Sequence, residues 1–583
     1  MAMLLPLPEW PSTAVVLSIS ALLAHQILRK FEMFSLPFHA FLLLAPPAIA
    51  SNRASSAGIG WPSASQLVFC YATYLAVLTL SVVSPFHPLH RYPGPVWCRT
   101  SMFWHAIRTT DGKQMTYLRS LHDTYGDIVR IGPNHLSIRD ASLVRQVLGV
   151  SGIQKGATYK GATLSETNVP FIGIQNAEEH AQRRRAWNRG LAPAALRDYD
   201  HTTSNRVHQL VDVLERQEGA VVLGKWINYF AYDFMSDMVF GGGSEQMQEG
   251  DKGDIWAMVD KGAEIAFHLG QLPWLGIYLG HIPGAGGPLN MLLEHGRKET
   301  TKRVAKGSST RDLFYYLNNE DLPREDPPPE RHLLDDGVLA MVAGSDTSSS
   351  AITSIFHCLL SHPEAYAALQ EEVDHFYPQG EDVCSTANHR DMHYLTAVIH
   401  ETLRLFPPAP TSSSRQVPHN AAPVVLGSVV LPPGTHVYIP PYVLHRDARN
   451  FVFPDEFWPE RWLVASGQLP LERARAPAPH TVAPPSSSRS RSRSADGHAS
   501  CQWELDSGFV HNEEGFIPFS HGPMNCVGKG LAMQQMRSVV CALVQRFRVR
   551  LEEGWDPRRY EEGFKDYLVA NRPELPVVLE RRY

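Results

Sequence analysis

The chain of 583 residues is 44% hydrophobic and 19% charged, with a formal net charge of −6. That is the make-up of an ordinary globular protein, large enough to bury a sizeable cofactor and without the positive charge that would suggest a nucleic-acid partner. Its seven cysteines, Cys70, Cys98, Cys358, Cys384, Cys501, Cys526 and Cys541, are scattered with no C-x-x-C pair, which argues against zinc and against a disulfide framework and favours a reducing compartment.

No charged residue lies between Arg53 and His87, and Leu67 to Val83 is almost continuously apolar. A helix of about 20 such residues spans a bilayer. Ala14 to Leu28 and Phe34 to Ala50 are weaker candidates, broken by His25, Gln26, Pro37, His39 and the Pro46-Pro47 pair. Residues 1–90 are therefore expected to be an anchor of one to three spans, with 67–84 foremost. Arg29 and Lys30 after the first stretch, and Arg91 and Arg99 after the last, mark cytoplasmic flanks. A buried core helix is the alternative for Leu67 to Val83; a cleaved signal peptide is disfavoured because the first stretch lacks a small-residue cleavage site. Arg91-Tyr-Pro-Gly-Pro95 then reads as a stiff linker into a catalytic region over 91–583.

Asp127 to Ile138 alternates β-branched residues around a Gly-Pro-Asn turn and predicts a strand hairpin. Most of the chain beyond Ile138 has helical period. Glu179 to Trp187 carries Arg183, Arg184 and Arg185; a solvated helix face explains such a cluster, yet His180 and Arg184 stand one turn apart and can reach a common anion. The long apolar stretch Arg331 to His362, with Asp335 and Asp336 near its start and Pro363 just past its end, predicts one helix. Midway along it, Ala343-Gly-Ser-Asp346-Thr347-Ser348 lowers helix propensity and offers hydroxyls that compete for carbonyls, which predicts a local opening of the ladder. A Ser/Thr-rich helix face is the plain alternative.

Leu395 to Pro408 predicts another helix, on which Glu401 and Arg404 share a face; on its own this is an exposed ion pair. From Arg415 to Ile439 two alternating runs joined by Pro432-Pro-Gly-Thr435 predict short strands, and Phe457-Trp-Pro-Glu-Arg461-Trp462 comes next. Ala474 to Ser494 cannot bury enough apolar surface to fold, so an insertion at about 465–505 is expected to be a mobile surface loop. Its Arg-Ser repeats are too short and isolated to act as those of splicing factors do.

Phe519 to Gly530 then sets Cys526 among small residues, just before an apolar helical pattern beginning at Leu531. A thiolate there sits at the positive end of the helix, where free amides lower a thiol pKa, and this position suits a metal ligand. Gly522 and Gly528 allow the backbone to approach a flat cofactor. An inert packed cysteine, or a catalytic thiol activated beside His521, are the alternatives.

Together these segments resemble the cytochrome P450 family. Phe519, Gly522, Cys526 and Gly528 match its F-x-x-G-x-R-x-C-x-G loop, with Met524 where that pattern has arginine. Ala343 to Ser348 matches its A-G-x-D-T-T/S signature, Glu401 and Arg404 its E-x-x-R pair, and Phe457 to Trp462 its F-x-P-E-R-F/W segment. The resemblance runs from Arg91 to Tyr583 and implies a mainly α fold with small β-sheets (α+β), preceded by one or more transmembrane segments. It implies haem as cofactor, with Cys526 as the axial ligand of iron and with contacts from Phe519, Gly522 and Gly528. It further implies propionate contacts from Arg415, Arg184, His180 and Trp187, proton delivery by Asp346 and Thr347, and space beside the haem at Gly344. Glu401, Arg404 and Arg461 are implied as a buried structural group. With no arginine at 524, more of the propionate charge is expected to fall on Arg415, Arg184 and His180.

The implied reaction inserts one oxygen atom of dioxygen into a small apolar organic substrate, in the style of fungal membrane-bound secondary-metabolite enzymes, with terpenoid-like substrates in view. Electrons are expected from a separate NADPH-dependent flavin reductase, and the catalytic region is expected to face the cytoplasm from the endoplasmic reticulum membrane. The rivals are a haem-binding sensor or carrier, a reductase-independent isomerase or peroxygenase, and a cysteine hydrolase using Cys526 and His521. Substrate choice is expected to lie in Lys155 to Ile174, Ile265 to Leu279 and Pro410 to Ser413.

Overall fold

The computed structural model describes residues 10–53, 63–475, 477 and 508–583. Three helices lead the chain, α1 (Trp10–Lys30), α2 (Leu36–Arg53) and α3 (Ala64–Val83). Small residues let them approach closely: Ala21, Ala24, Ala50 and Cys70 are buried between them with Leu17, Leu42 and Tyr74. The Tyr74 hydroxyl donates to Leu42 O at 2.7 Å, so that phenol is not buried unpaired. Their outer faces stay apolar, with Val15, Ile19, Leu22, Val68, Leu75 and Leu80 exposed. Two of the three, over Ser12–Lys30 and Ala64–Val83, are long and apolar enough to cross a membrane. The C-terminal ends of α1 and α3 both meet the body of the protein: Gln416 Nε2 donates to Glu32 Oε2 at 3.0 Å, and Arg130 Nη2 donates to Val82 O at 3.1 Å. Helices α1 and α3 therefore run the same way, and α2 runs back.

In the body, strands are short and helices dominate. β1 (Ile128–Gly132) and β2 (His135–Ile138) form the predicted hairpin. They are followed by α4 (Ala177–Gly190), β3 (Ala220–Val222), α5 (Leu223–Phe240), α6 (Ile255–Gln271) and the long α7 (Glu330–Ser361). Next come α8 (His393–Leu405), β4 (Arg415–Gln416), β5 (Val424–Leu426), β6 (Val429–Leu431), β7 (His436–Tyr438) and α9 (Glu460–Ala465). The last elements are α10 (Lys529–Arg546), β8 (Phe547–Leu551), β9 (Lys565–Tyr567), β10 (Val569–Asn571) and β11 (Pro576–Arg581). The largest sheet, ordered β1-β2-β7-β4, carries the early hairpin beside strands from far later in the chain, and β3-β11-β8 ties the start of α5 to the C-terminus.

The main core gathers α5, α7, α8 and α10 through Phe230, Phe234, Ile352, Phe356, Val398 and Leu543. Helix α7 runs unbroken over 32 residues. The predicted opening at Ala343 to Ser348 does not occur. Ser345 and Thr347 donate to Met341 O and Ala343 O one turn back, at 2.7 and 2.6 Å, sharing those carbonyls with the helix instead of displacing its amides. Gly344 lets α5 pack closely: a Cβ there would lie 2.6 Å from Met235 Cε.

A fully buried ion group joins α8 to α9. Glu401 accepts from Arg404 Nε and Nη2 at 2.9 and 2.8 Å and from Arg461 Nε at 3.0 Å. Trp458 N and Trp462 Nε1 donate to the same carboxylate at 2.9 and 3.0 Å. The remaining guanidinium protons reach main-chain carbonyls of His445, Pro454, Glu456, Val452 and Phe453. Burial alone would raise the pKa of Glu401; the two arginines and the hydrogen bonds outweigh it and bring it to about 2. After α9 the described chain runs on through Arg475. Leu471–Arg473 form a 3-10 turn, with Leu471 packed on Phe453 and Trp458, and the Arg-Ser run lies outside the described residues.

Candidate cofactor site

The loop before α10 is built around its glycines and its cysteine. Gly522 has φ +74°, and a Cβ there would sit 2.1 Å from Leu148 O, so this glycine serves a close approach of the chain to itself. Cys526 N donates to Phe519 O at 2.9 Å and closes the loop. The Cys526 side chain is accessible, yet it stands deep in the protein, and burial pushes its thiol up. The amides of Gly528 and Lys529 at the head of α10, with the charges of Arg184 and Lys529, oppose that rise by favouring the thiolate. Nothing crowds the sulfur from Gly528, where a Cβ would meet only Cys526 Sγ, at 3.9 Å. Phe519 lies beneath Lys529, whose Nζ is 5.7 Å from the ring centroid. No hydrogen bond joins His521 to Cys526 among the described residues.

Cations converge on this loop from two elements. Arg184 on α4 donates through Nη1 and Nη2 to Asn525 O and Oδ1 at 2.8 and 2.6 Å. His180, one turn earlier and 2% exposed, stacks on Phe171 with ring centroids 4.6 Å apart, and its Nε2 is buried without a hydrogen-bond partner. Arg415 on β4 is 5% exposed and directs Nη1 at Met524 Sδ, 2.9 Å away. Lys155, also 5% exposed, donates Nζ to Ile172 O at 2.6 Å and forms a main-chain bridge with Arg415. Burial lowers all of their pKa values: Arg415 to about 10, Lys155 to about 7 with further help from Arg415 and Arg184, and His180 to about 3 with further help from Lys155, Arg184, Arg415 and Arg183. Among the described residues no carboxylate pairs with Lys155, Arg184 or Arg415.

Trp187 and Arg183 turn elsewhere. Trp187 Nε1 donates to Asp336 Oδ2 at 3.4 Å and its ring stacks on Phe171, while Arg183 Nη2 donates to Asp336 Oδ1 at 2.6 Å. These contacts fix α4 against α7. Trp187 thus supports the Phe171 and His180 stack with its indole N–H already engaged.

On α7, Val342, Ala343, Gly344 and Thr347 form a half-buried strip between fully buried neighbours. Asp346 points away from it, to Arg572 just past β10, whose Nη1 donates at 3.2 Å. Arg572 also bonds Asn228 and Ser349, and its Nε is buried without a partner. Burial raises the Asp346 carboxyl to about 6 against the pull of Arg572. Neither Lys155 nor Arg572 is singled out by sequence reasoning. Lys155 is a lone lysine before a glycine, and Arg572 stands among C-terminal strand residues; local pattern carries no sign of what each faces.

The donor set fits a dianionic prosthetic group held by a thiolate. One sulfur meets two amides, and buried cations with one orphaned imidazole nitrogen stand beside it with no acidic partner among the described residues. The family described as Cytochrome P450 matches residues 91–578 of the chain. Cytochrome P450 monooxygenase FCK2 of Fusarium pseudograminearum is 27% identical, over 92% of this chain and 90% of its own. Tryprostatin B 6-hydroxylase of Aspergillus fumigatus is 27% identical over 89% and 85%, and cytochrome P450 monooxygenase notG' of Aspergillus versicolor is 27% identical over 99% of both. A match that runs from the linker after α3 almost to the C-terminus takes in the whole body, and the chain belongs to the cytochrome P450 family, as an oxidoreductase that carries haem on a cysteine thiolate.

Proposed function

We propose that the protein is a membrane-anchored monooxygenase that places one oxygen atom of dioxygen in a small apolar organic substrate of fungal secondary metabolism, with electrons from a separate NADPH-dependent flavin reductase. The observation that carries this reading is the Cys526 sulfur, met by two amides at the head of α10 beside buried cations that have no acidic partner among the described residues. One relative is named a 6-hydroxylase and others monooxygenases, which supports oxygen insertion over a sensor or an isomerase. None of these names bears on terpenoids, and the substrate is proposed no more finely than apolar.

When bound, haem supplies the activation of dioxygen, and a thiolate ligand favours cleavage of the O–O bond. Cys526 holds the iron, with its charge favoured by the amides of Gly528 and Lys529. Arg415, Arg184 and His180 bind and orient the carboxylates of the group. Asp346 carries a proton on a carboxyl of near-neutral affinity, and the Thr347 hydroxyl passes protons at Oγ1 on the half-buried strip of α7. Arg572 holds the Asp346 carboxylate and so sets when that proton is released. The parallel run of α1 and α3 with α2 returning supports three crossings, which puts both basic flanks and the catalytic body on the cytoplasmic side, as for a protein of the endoplasmic reticulum.

The test is spectroscopic and then kinetic. Reduced protein with carbon monoxide should give the red-shifted absorbance band of thiolate-ligated haem, Cys526→Ala should lack it, and a candidate substrate should stimulate NADPH consumption when a flavin reductase is present. An unchanged band in Cys526→Ala would remove Cys526 as ligand, and a normal band with no substrate-stimulated consumption over a broad apolar panel would favour a sensor.

A further inference from the structure

Apart from the cofactor site, a trio of metal-binding side chains comes together from two remote parts of the chain. His208 stands on the helix Asp200–Glu215, and Asp382 and Cys384 stand on the loop after the helix Pro363–Phe376. One donor atom from each, an imidazole nitrogen, a carboxylate oxygen and a thiol sulfur, all lie within 4.8 Å of one another. Among the described residues no other such trio is gathered as closely. Spacing along the chain carries no sign of it, because the histidine is supplied by a distant helix.

The surrounding bonds hold these groups in place. Gln545 on α10 donates Nε2 to Tyr377 O at 2.9 Å, and the Tyr377 hydroxyl donates to Ser385 O at 2.6 Å. The Thr386 hydroxyl donates at 3.2 Å to Asp200 Oδ2, at the start of the helix that bears His208. Cys384 N donates to Asp382 Oδ1 at 2.9 Å and so orients that carboxylate. Ser204 Oγ lies one turn before His208 and 3.3 Å from its Nδ1; when the hydroxyl accepts the Nδ1 proton, the free lone pair of the ring is on Nε2. His208 Nε2 is 3.4 Å from Asp382 Oδ1. That is long for a charge-assisted hydrogen bond, which runs at about 2.7–2.9 Å. It is the separation of two ligands on one tetrahedral zinc ion, since bonds of about 2.0–2.1 Å at the tetrahedral angle set their donors about 3.3–3.4 Å apart. Cys384 is 6% exposed, whereas the side chains of His208 and Asp382 are 54% and 59% exposed. The sulfur therefore lies at the inner end of the trio, and an ion can enter from solvent between the other two.

We infer that His208, Asp382 and Cys384 form a zinc site, with water as the fourth ligand, that staples the helix Asp200–Glu215 to the loop over 377–386. Imidazole, thiolate and carboxylate are the donors zinc takes, and the sulfur disfavours calcium and magnesium. On binding, the Cys384 thiol proton passes to solvent and a sulfur–zinc bond takes its place. The thiolate and the Asp382 carboxylate then balance the two positive charges of the ion.

The full-length haem protein, without a histidine tag and stripped with a chelator that leaves haem in place, would be dialysed against buffered Zn2+, and zinc per chain counted by mass spectrometry. Wild type should take up one zinc ion. Loss of a ligand should cost at least the roughly 10–100-fold that a lost supporting residue costs, so His208→Ala, Asp382→Asn and Cys384→Ser should each bind at least that much more weakly. His201→Ala, on the same helix but outside the trio, should bind as wild type does. Zinc should also raise the Tm of wild type and His201→Ala and leave the three ligand variants unmoved. His208 and Asp382 are exposed, so their substitution keeps the test valid even where Cys384→Ser, at a buried position, fails to fold. Absence of stoichiometric zinc in wild type, undiminished binding in His208→Ala and Asp382→Asn, or a preference for Ca2+ or Mg2+ over Zn2+ would each overturn the inference.

Discussion

Two groups of cations, one around Glu401 and one around Met524, are satisfied in opposite ways. Around Glu401, two guanidinium groups share one carboxylate, two tryptophan donors complete it, and main-chain carbonyls take the protons left over. Around Met524, Arg415, Arg184 and Lys155 come together with a thioether, an asparagine and a carbonyl, and among the described residues no acid joins them. A buried charge needs a counter-charge and hydrogen bonds to be stable. The first cluster draws both from its own chain and belongs to folding; the second finds no acid among the described residues, which supports the proposal that it binds an anion.

The sharpest way to break this contrast is to remove the acid from the closed cluster. Glu401→Gln leaves two buried guanidinium groups facing a neutral amide and should lower stability by about 3–5 kcal/mol, read by chemical denaturation with and without haem. Its pH dependence comes from the same residue. The native pKa of about 2 lies below the ordinary 4.5, so the stabilisation is complete above 4.5 and is lost as pH falls towards 2; an acid titration of Glu401→Gln should lack that component. Loss of equal size in the haem-free Arg415→Ala protein would erase the distinction between the clusters.

The open cluster is tested next, with a smaller effect on a different observable. Arg415→Ala should reduce haem retention several-fold more than Lys529→Ala, which removes a cation that lies over Phe519 outside the carboxylate cluster. Without haem, Arg415→Ala should be no less stable than wild type, because an unpaired buried charge has been taken away. Equal haem occupancy in the two variants defeats the assignment.

Arg572 is the intermediate case and the smallest effect. It has one carboxylate, Asp346, and one nitrogen without a partner. The charged groups that act on Asp346 are Arg572 and, from α6, Asp260. Because its native pKa of about 6 lies above the ordinary 3.8, the native protein holds this proton more tightly than the unfolded chain does; that contribution is complete below 3.8 and fades as pH rises through 6. Arg572→Met should push the native value higher still, so that stability measured from mildly acid to mildly alkaline pH falls more steeply than in wild type, by about 1 kcal/mol. In turnover the same variant should shift the pH profile and divert electrons to peroxide, and Arg572→Lys should restore both. A pH profile that does not move assigns Arg572 to packing alone.

These features are unevenly legible in the sequence, for physical reasons. Cys526 with its glycines, and Glu401 with Arg404, lie within a few residues of each other, so spacing along one turn or one helix face carries the information. Arg461 is remote in the chain, but it sits in a short segment with its own pattern. Lys155, Arg572 and the contact of Gly344 with Met235 depend on which element lies opposite, and that is set by the packing of α5, α7 and the sheets as a whole. Trp187 shows the same limit in reverse. Its helix is plain from the sequence, yet a neighbour on α7, Asp336, claims the indole proton. The hydroxyls of α7 are legible as competitors for carbonyls, but their bonds one turn back leave the helix whole, because a carbonyl has two lone pairs.

That last arrangement gives the Thr347 hydroxyl a direction. Its hydrogen already points along the helix to Ala343 O, so towards the open strip of α7 it presents lone pairs only. A water or substrate hydroxyl standing there must turn its own hydrogen to Thr347, and is thereby oriented before any reaction begins. Passing a proton outward requires the threonine to rotate away from Ala343, at a cost of about 1 kcal/mol for the bond given up. The resting rotamer thus acts as a one-way latch, set by the backbone four residues earlier, and Thr347→Ser, with its freer side chain, is the substitution that loosens the latch without removing the hydroxyl.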